Sequence, residues 1–265
     1  MPDTRLNYRV EGHGTPLLLV HGFMISFNIW KNLAPLLRPH LKLIIVEMPG
    51  VGESPPVSDH EEALQVSIDG IEEIRRKLGI DRWYVLSYST GSRVAEAYAR
   101  AFPGHVCAAI FLCALLIDAH KARGLRTGLR LDQRFPVFGD WVLSGWRLRF
   151  LVSLLGFNLI PNRLADEWYT EISSRPMSLR KATIWAMAEL ADKPFSVPVP
   201  YSFIWGDRDL VPRMPRTAGP RDAFVHGTHS APVEAAEEVA KLVLALCADR
   251  QGCDDTAASE PTTDT

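Results

Sequence analysis

The stretch "LSYSTGSR" places Ser89 between two small residues, with Ser87 two positions before it and Gly91 two positions after. Where a strand turns sharply into a helix, a serine so flanked exposes its hydroxyl and crowds its neighbours. The spacing is that of the G-x-S-x-G nucleophile elbow, with serine in place of the first glycine. Smallness is what the turn requires there, and serine adds only a hydroxymethyl group. The ordinary alternative is a serine that caps a helix. A nucleophilic serine needs companions: a base to take its proton, an acid to orient that base, and donors for the developing oxyanion. "WGDRDLVP" offers Asp207 and Asp209 as acids, either of which could instead cap a helix or pair with Arg208 or Arg213. "HGTHSAP" offers His226 and His229 as bases. His229 stands in a loop rich in small polar residues before the last helix. His226 ends an apolar strand, where a histidine with structural hydrogen bonds is expected. After "PLLLV" come His21, Gly22 and Phe23; the glycine permits a sharp turn, and the Phe23 N–H is a candidate oxyanion donor. The Thr90 N–H, at a helix N-terminus, is the second.

These residues need a scaffold that brings strand ends together. The first ~115 residues alternate strand and helix patterns. "NYRVEG", "PLLLVHG" (16–22), "LKLIIVEMPG" (41–50), "RWYVLSYS" and "VCAAIFLCAL" (106–115) read as strands. Several are continuous apolar runs, as expected of strands covered on both faces. Helical patterns lie between them at 29–38, 61–80 and 93–101, the last stopped by Pro103-Gly104. Short strands separated by helices predict an α/β fold with a doubly wound, mostly parallel sheet. Residues 118–195 break the alternation with helix-like runs and no convincing strand. The sheet resumes at Tyr201–Trp205 and "DAFVHG", and a helix at 231–249 closes the pattern. The expected organisation is a core of 1–117 and 196–250, a helical insertion at 118–195, and a disordered polar tail at 251–265.

Composition is that of an ordinary globular protein: 265 residues, 47% hydrophobic, 23% charged, formal net charge −2. Nothing global favours nucleic acid. The four cysteines, Cys107, Cys113, Cys247 and Cys253, show no C-x-x-C or zinc spacing and read as buried or incidental thiols. No signal peptide is evident in the first residues, and the run Phe150–Ile160 is too short to span a bilayer, so a cytoplasmic location is expected. The insertion holds four of the seven tryptophans, Trp141, Trp146, Trp168 and Trp185. They suggest an apolar pocket wall; packing of the insertion onto the core is the plainer reading. Seven bases between Lys121 and Arg149 meet three acids. Such a run is ordinarily a solvated helix face, and it could attract an anionic substrate, a carrier protein or a membrane surface.

Taken in order, five motifs resemble the α/β-hydrolase superfamily, in the group with a helical cap: "LLLVHGF", "EMPGVGES" (47–54), "SYSTG", "IWGDRDLVP" and "HGTHSAPVEAAEEVAKLV". The resemblance runs from about Asn7 to Ala248. It implies a triad of Ser89 as nucleophile, Asp209 as acid and His229 as base, with Phe23 and Thr90 supplying the oxyanion hole, and no metal or organic cofactor. It also implies a cap over Ser89. The chain departs from the family at Ser87, at Glu47 (usually aspartate), and in a short stretch between Asp209 and His229 that carries Pro212, Pro215 and Pro220. The implied activity is hydrolysis of a carboxylic ester or related acyl bond of a small apolar molecule. Relatives that open epoxides or displace halide use an aspartate nucleophile, and Ser89 argues against both. The alternatives are an acyltransferase, thioesterase, lyase, cyclase or carbon–carbon hydrolase with the same triad, and a non-catalytic ligand-binding member. No nucleic-acid partner and no stable membrane insertion are expected.

Overall fold

The computed structural model describes residues 6–22, 24–57, 60–116, 119–160, 162–190, 194–211 and 222–248. Among these, seven strands form one sheet in the order β1-β3-β2-β4-β5-β6-β7. They are β1 (Tyr8–Glu11), β2 (Thr15–Val20), β3 (Leu41–Val46), β4 (Trp83–Tyr88), β5 (Val106–Leu112), β6 (Tyr201–Gly206) and β7 (Ala223–Val225). Only β1 runs antiparallel, against β3; the other pairings are parallel. The mostly parallel α/β sheet expected from the alternating patterns is thus what forms.

The apolar runs explain the two-sided burial. Successive side chains on a strand face opposite ways. Leu17, Leu19, Leu43, Ile45 and Leu86 enter one core with Leu37, Val239 and Val243. Leu18, Val20, Ile44, Val46 and Val85 enter the other with Ile71, Ala95 and Tyr98. The first core is covered by α1 (Ala34–Leu37) and α10 (Ala236–Ala248), the second by α2 (His60–Lys77) and α3 (Gly91–Ala101).

Two helices differ from expectation. The pattern at 29–38 becomes a 3-10 turn, Phe27–Trp30, followed by the single turn of α1. Pro35 lies in the first turn of α1 and lacks the N–H that a continuous helix would need. The closing helix divides into α9 (Ala231–Glu234) and α10, because Ala235 (φ −115°, ψ 35°) leaves the helical region.

Between β5 and β6 lie five helices: α4 (Ala119–Arg134), α5 (Val137–Val142), α6 (Gly145–Phe157), α7 (Arg163–Ser173) and α8 (Met177–Leu190). Trp168 is buried against Phe157, with ring centroids 4.8 Å apart. Trp141 and Trp146 face solvent instead, which overturns the expectation that they wall a pocket. Cys113 and Cys247 are buried free thiols. Cys107 is disulfide-bonded, so the expectation of four thiols fails at that position. The tail at 251–265 and the proline-bearing stretch 212–221 lie outside the described residues.

Candidate active site

Ser89 follows the last residue of β4 and has φ +51°, in the left-handed region. A side-chain-bearing residue held there stores roughly 1–3 kcal/mol of strain, which surrounding bonds must offset. The Ser89 N–H donates to Leu112 O at 3.1 Å. Its carbonyl accepts from the Ser92 N–H (3.0 Å), the Leu115 N–H (3.2 Å) and the Ser92 hydroxyl (2.6 Å). Ser92 Oγ in turn accepts a second contact from Leu115 N–H at 3.1 Å. The elbow is also tight on its far side. A Cβ added to Gly91 would lie 2.4 Å from His21 O and 2.7 Å from Val20 O. Ser87 is fully buried beneath the turn, with its Oγ a long 3.4 Å from Ile110 O.

The ends of β6 and β7 carry the other groups. Asp209 and His229 meet because the two loops pack backbone to backbone: a Cβ on Gly206 would be 2.5 Å from Gly227 O. His229 Nδ1 lies 2.8 Å from Asp209 Oδ2, and His229 Nε2 lies 2.8 Å from Ser89 Oγ. The Val211 N–H donates to the other oxygen, Asp209 Oδ1, at 2.9 Å. An acceptor-only carboxylate fixes the proton on Nδ1 and leaves Nε2 to accept from the serine hydroxyl. All three side chains are buried.

The structure therefore joins Ser89, His229 and Asp209. The other candidates pair with each other: His226 Nδ1 lies 2.9 Å from Asp207 Oδ2, and the Gly227 N–H donates to Asp207 Oδ1 at 3.1 Å. Desolvation acts upward on the Asp207 carboxyl, but the His226 and Gly227 hydrogen bonds outweigh it and hold the group below its ordinary range. Thr90 heads α3 with helical φ and ψ (−60°, −28°), so its N–H has no intrahelical acceptor. Phe23 lies outside the described residues.

Several positioning groups carried no sequence signal. Tyr88 Oη donates to His229 O at 2.8 Å, and its ring lies 5.2 Å from the imidazole. Cys113 also has positive φ (47°), and its sulfur, an Asp209 oxygen and a His229 nitrogen lie within 4.8 Å of one another. Burial, then the Asp209 charge, push the Cys113 thiol well up, so it stays protonated, a poor state for binding a metal. The inserted helices reach the same loops. Gly156 O, in α6, accepts from the Ser230 N–H (3.2 Å) and lies 2.7 Å from Thr228 Oγ1. Asn158 Nδ2 donates to Arg208 O at 2.6 Å. Glu171, in α7, accepts from the Ser26 N–H at 2.7 Å and from Asn28 Nδ2 at 2.9 Å, in the segment that follows Gly22.

His21 is a structural histidine. Its Nε2 accepts the Met48 N–H at 2.9 Å, so the proton sits on Nδ1, 2.7 Å from Gly22 O. Burial lowers its pKa. Glu47 holds the adjacent turn: its Oε2 accepts from Asn7 Nδ2 (2.7 Å) and the Glu53 N–H (2.8 Å). Substitution of glutamate for the usual aspartate thus acts on a turn.

A family model described as the alpha/beta hydrolase fold matches residues 15–211. The chain is 26% identical over 194 residues to the soluble epoxide hydrolase of Corynebacterium sp. (strain C12), covering 68% of each protein. It is 35% identical over 107 residues to the pimeloyl-[acyl-carrier protein] methyl ester esterase of Photobacterium profundum. That match spans 39% of this chain and only 38% of the esterase. Among solved structures, a thermophilic esterase from Thermogutta terrifontis superposes with a TM-score of 0.69 at 21% identity, over 91% of this chain and 92% of that one. At that identity the superposition speaks for the fold. The family match covers most of the chain: this protein belongs to the α/β-hydrolase family and is an enzyme of that fold.

Proposed function

We propose that the protein is a serine hydrolase acting on a carboxylic ester or related acyl bond of an apolar small molecule, with Ser89, His229 and Asp209 as its catalytic triad. One observation carries the reading: Ser89 Oγ to His229 Nε2 and His229 Nδ1 to Asp209 Oδ2 are both 2.8 Å, at a serine held in a left-handed turn. Ser89 attacks the substrate carbonyl as His229 Nε2 takes the hydroxyl proton. The oxyanion is held by the N–H groups of Thr90 and Phe23. His229 then protonates the leaving alcohol. Water, deprotonated by the same nitrogen, cleaves the acyl-enzyme and restores Ser89. Asp209 holds the imidazole in the required tautomer and stabilises its cation. Residues 118–195 act as the cap over this site.

The esterase relative favours acyl chemistry, whereas the epoxide hydrolase relative does not transfer its activity so simply. Attack of a serine oxygen on an epoxide or alkyl halide carbon would leave an ether, which this triad has no means to hydrolyse. A carboxylate nucleophile would leave an ester, which water can cleave. Ser89 therefore separates this chain from an alkylating mechanism.

The test is Ser89→Ala against a short p-nitrophenyl ester. Turnover is expected to fall roughly 10⁴- to 10⁶-fold with the fold intact by circular dichroism. A fluorophosphonate probe is expected to label the wild type and not the variant. Undiminished turnover in the variant would remove Ser89 from the mechanism.

A further inference from the structure

The inserted helices carry a surface that the proposed chemistry does not use. On α5, Val137 and Trp141 stand one turn apart; on α6, Trp146 and Phe150 do the same. All four are exposed, Val137 by 75% and Trp146 by 70%. Phe135, just before α5, is 60% exposed. The two helices share this face through Arg147, whose guanidinium lies 4.4 Å from the Trp141 ring centroid and 5.3 Å from that of Trp146. Phe138 stacks behind Trp141 at 6.4 Å. The result is one contiguous aromatic ridge with a cation embedded in it.

The surrounding charge says what the ridge fits. One base meets two acids of the segment: Lys181, from α8, lies 2.8 Å from Asp132 and 2.7 Å from Asp140. Arg149 is paired with Asp166 at 2.6 Å. Arg123, Arg130, Arg134 and Arg147 have no ion-pair partner among the described residues, and the first three are exposed on α4. Arg147 lies between the Trp141 and Trp146 rings and Arg134 lies 6.0 Å from the Phe135 ring, and aromatic rings with such cations beside them suit a surface that is apolar within and anionic without. A second copy of the chain would set these arginines against their own kind. A single-stranded nucleic acid would need a groove to track its backbone, whereas these rings stand on the outer faces of two helices.

We infer that the α5–α6 ridge docks peripherally on an anionic lipid surface, with Trp141, Trp146 and Phe150 seated at the headgroup level and Arg147 and Arg134 on the phosphates. No described helix is long and apolar enough to cross a membrane, so the attachment is interfacial. The inference does not depend on the role of Ser89.

The test is flotation of the full-length protein with vesicles of phosphatidylcholine alone or with roughly 30 mol % phosphatidylglycerol. Association with the anionic vesicles is expected to be at least about tenfold stronger and to weaken as sodium chloride is raised. The triple variant Trp141→Ala, Trp146→Ala, Arg147→Glu should lose the association while keeping wild-type circular dichroism and melting behaviour. Should that variant fail to fold, Trp146→Glu alone tests the same face at one exposed side chain. Equal binding to both vesicle types, or vesicle binding unchanged in the variants, would overturn the inference. So would a ridge that instead mediates self-association or binds a single-stranded oligonucleotide in place of vesicles.

Discussion

The loops after β6 and β7 build two carboxylate–histidine pairs side by side. Asp207 with His226 and Asp209 with His229 use the same residue types at 2.9 and 2.8 Å. Their surroundings differ. The first pair is 41% and 68% exposed; the second is 0% and 9% exposed, and its second imidazole nitrogen is already on Ser89 Oγ. In water the attraction between such groups is weak and screened by salt. Out of water it is stronger and orients the ring that the proposed mechanism uses as its base. Proximity of an acid to a histidine is therefore not what distinguishes a base; burial and a third partner are.

Exchanging the two pairs breaks the comparison most sharply. His229→Ala is expected to lower ester turnover roughly 10⁴-fold or more, and Asp209→Asn about 10⁴-fold in kcat through the wrong tautomer. His226→Ala and Asp207→Asn are expected to leave turnover near that of the wild type. Steady-state kinetics on all four variants decide it, and comparable losses at both pairs would show that the exposed one also serves the reaction.

A smaller effect is expected behind the serine. Ser92→Ala removes the hydroxyl that bonds Ser89 O at 2.6 Å and receives Leu115 N–H at 3.1 Å. Loss of these buried bonds should cost about 1–3 kcal/mol of stability. A loosened elbow should lower kcat roughly ten- to hundredfold with little change in KM. Denaturant unfolding and kinetics on the same preparation would show both; intact kcat would mean that the strand and helix alone hold the turn.

The smallest effect is a pH slope. Burial lowers the His21 pKa, so the folded protein favours neutral imidazole and the unfolded chain takes up the proton first. Stability from this group is full above the ordinary histidine pKa of about 6.5 and declines as pH falls below it. The depressed Asp207 carboxyl acts elsewhere: its contribution is present above about 3.9 and is lost only at more acidic pH. Melting temperatures between about pH 7.5 and 5.5 should therefore fall with a slope that His21→Gln flattens and Asp207→Asn does not. An unchanged slope in His21→Gln would assign the acid limb to other groups.

Much of the scaffold was legible because its signals are local. "PLLLV" and "LKLIIV" are apolar at nearly every position, and short runs of this kind ended by turn residues fit strands covered on both faces. Pro103-Gly104 stops α3 where the chain must turn. The 29–38 pattern misled because apolar spacing persists across Pro35, which prevents a continuous helix. Trp141 and Trp146 misled for another reason: an aromatic residue suggests burial on average, and nothing nearby in sequence shows that this face has no covering element.

By itself the sequence determined a two-sided parallel sheet, a helical interruption after the fifth strand, and small residues around Ser89. These follow from hydrophobic period and side-chain size, which act over a few residues. The motif resemblance named Asp209 and His229, but spacing alone left both pairings open, since separations of 19 and 20 residues are equally accessible to an unfolded chain, and it is the tertiary structure that brings each aspartate to its histidine. It also decided that Tyr88, Ser92 and Cys113 surround the serine and its partners, and that Gly156 and Asn158 of the insertion hold the loops carrying the acid and the histidine. Tyr88 and His229 are 141 residues apart in the chain, and only assembly of the parallel sheet, which sets the ends of β4 and β7 on the same side with β5 and β6 between them, lets the loop after β7 reach Tyr88.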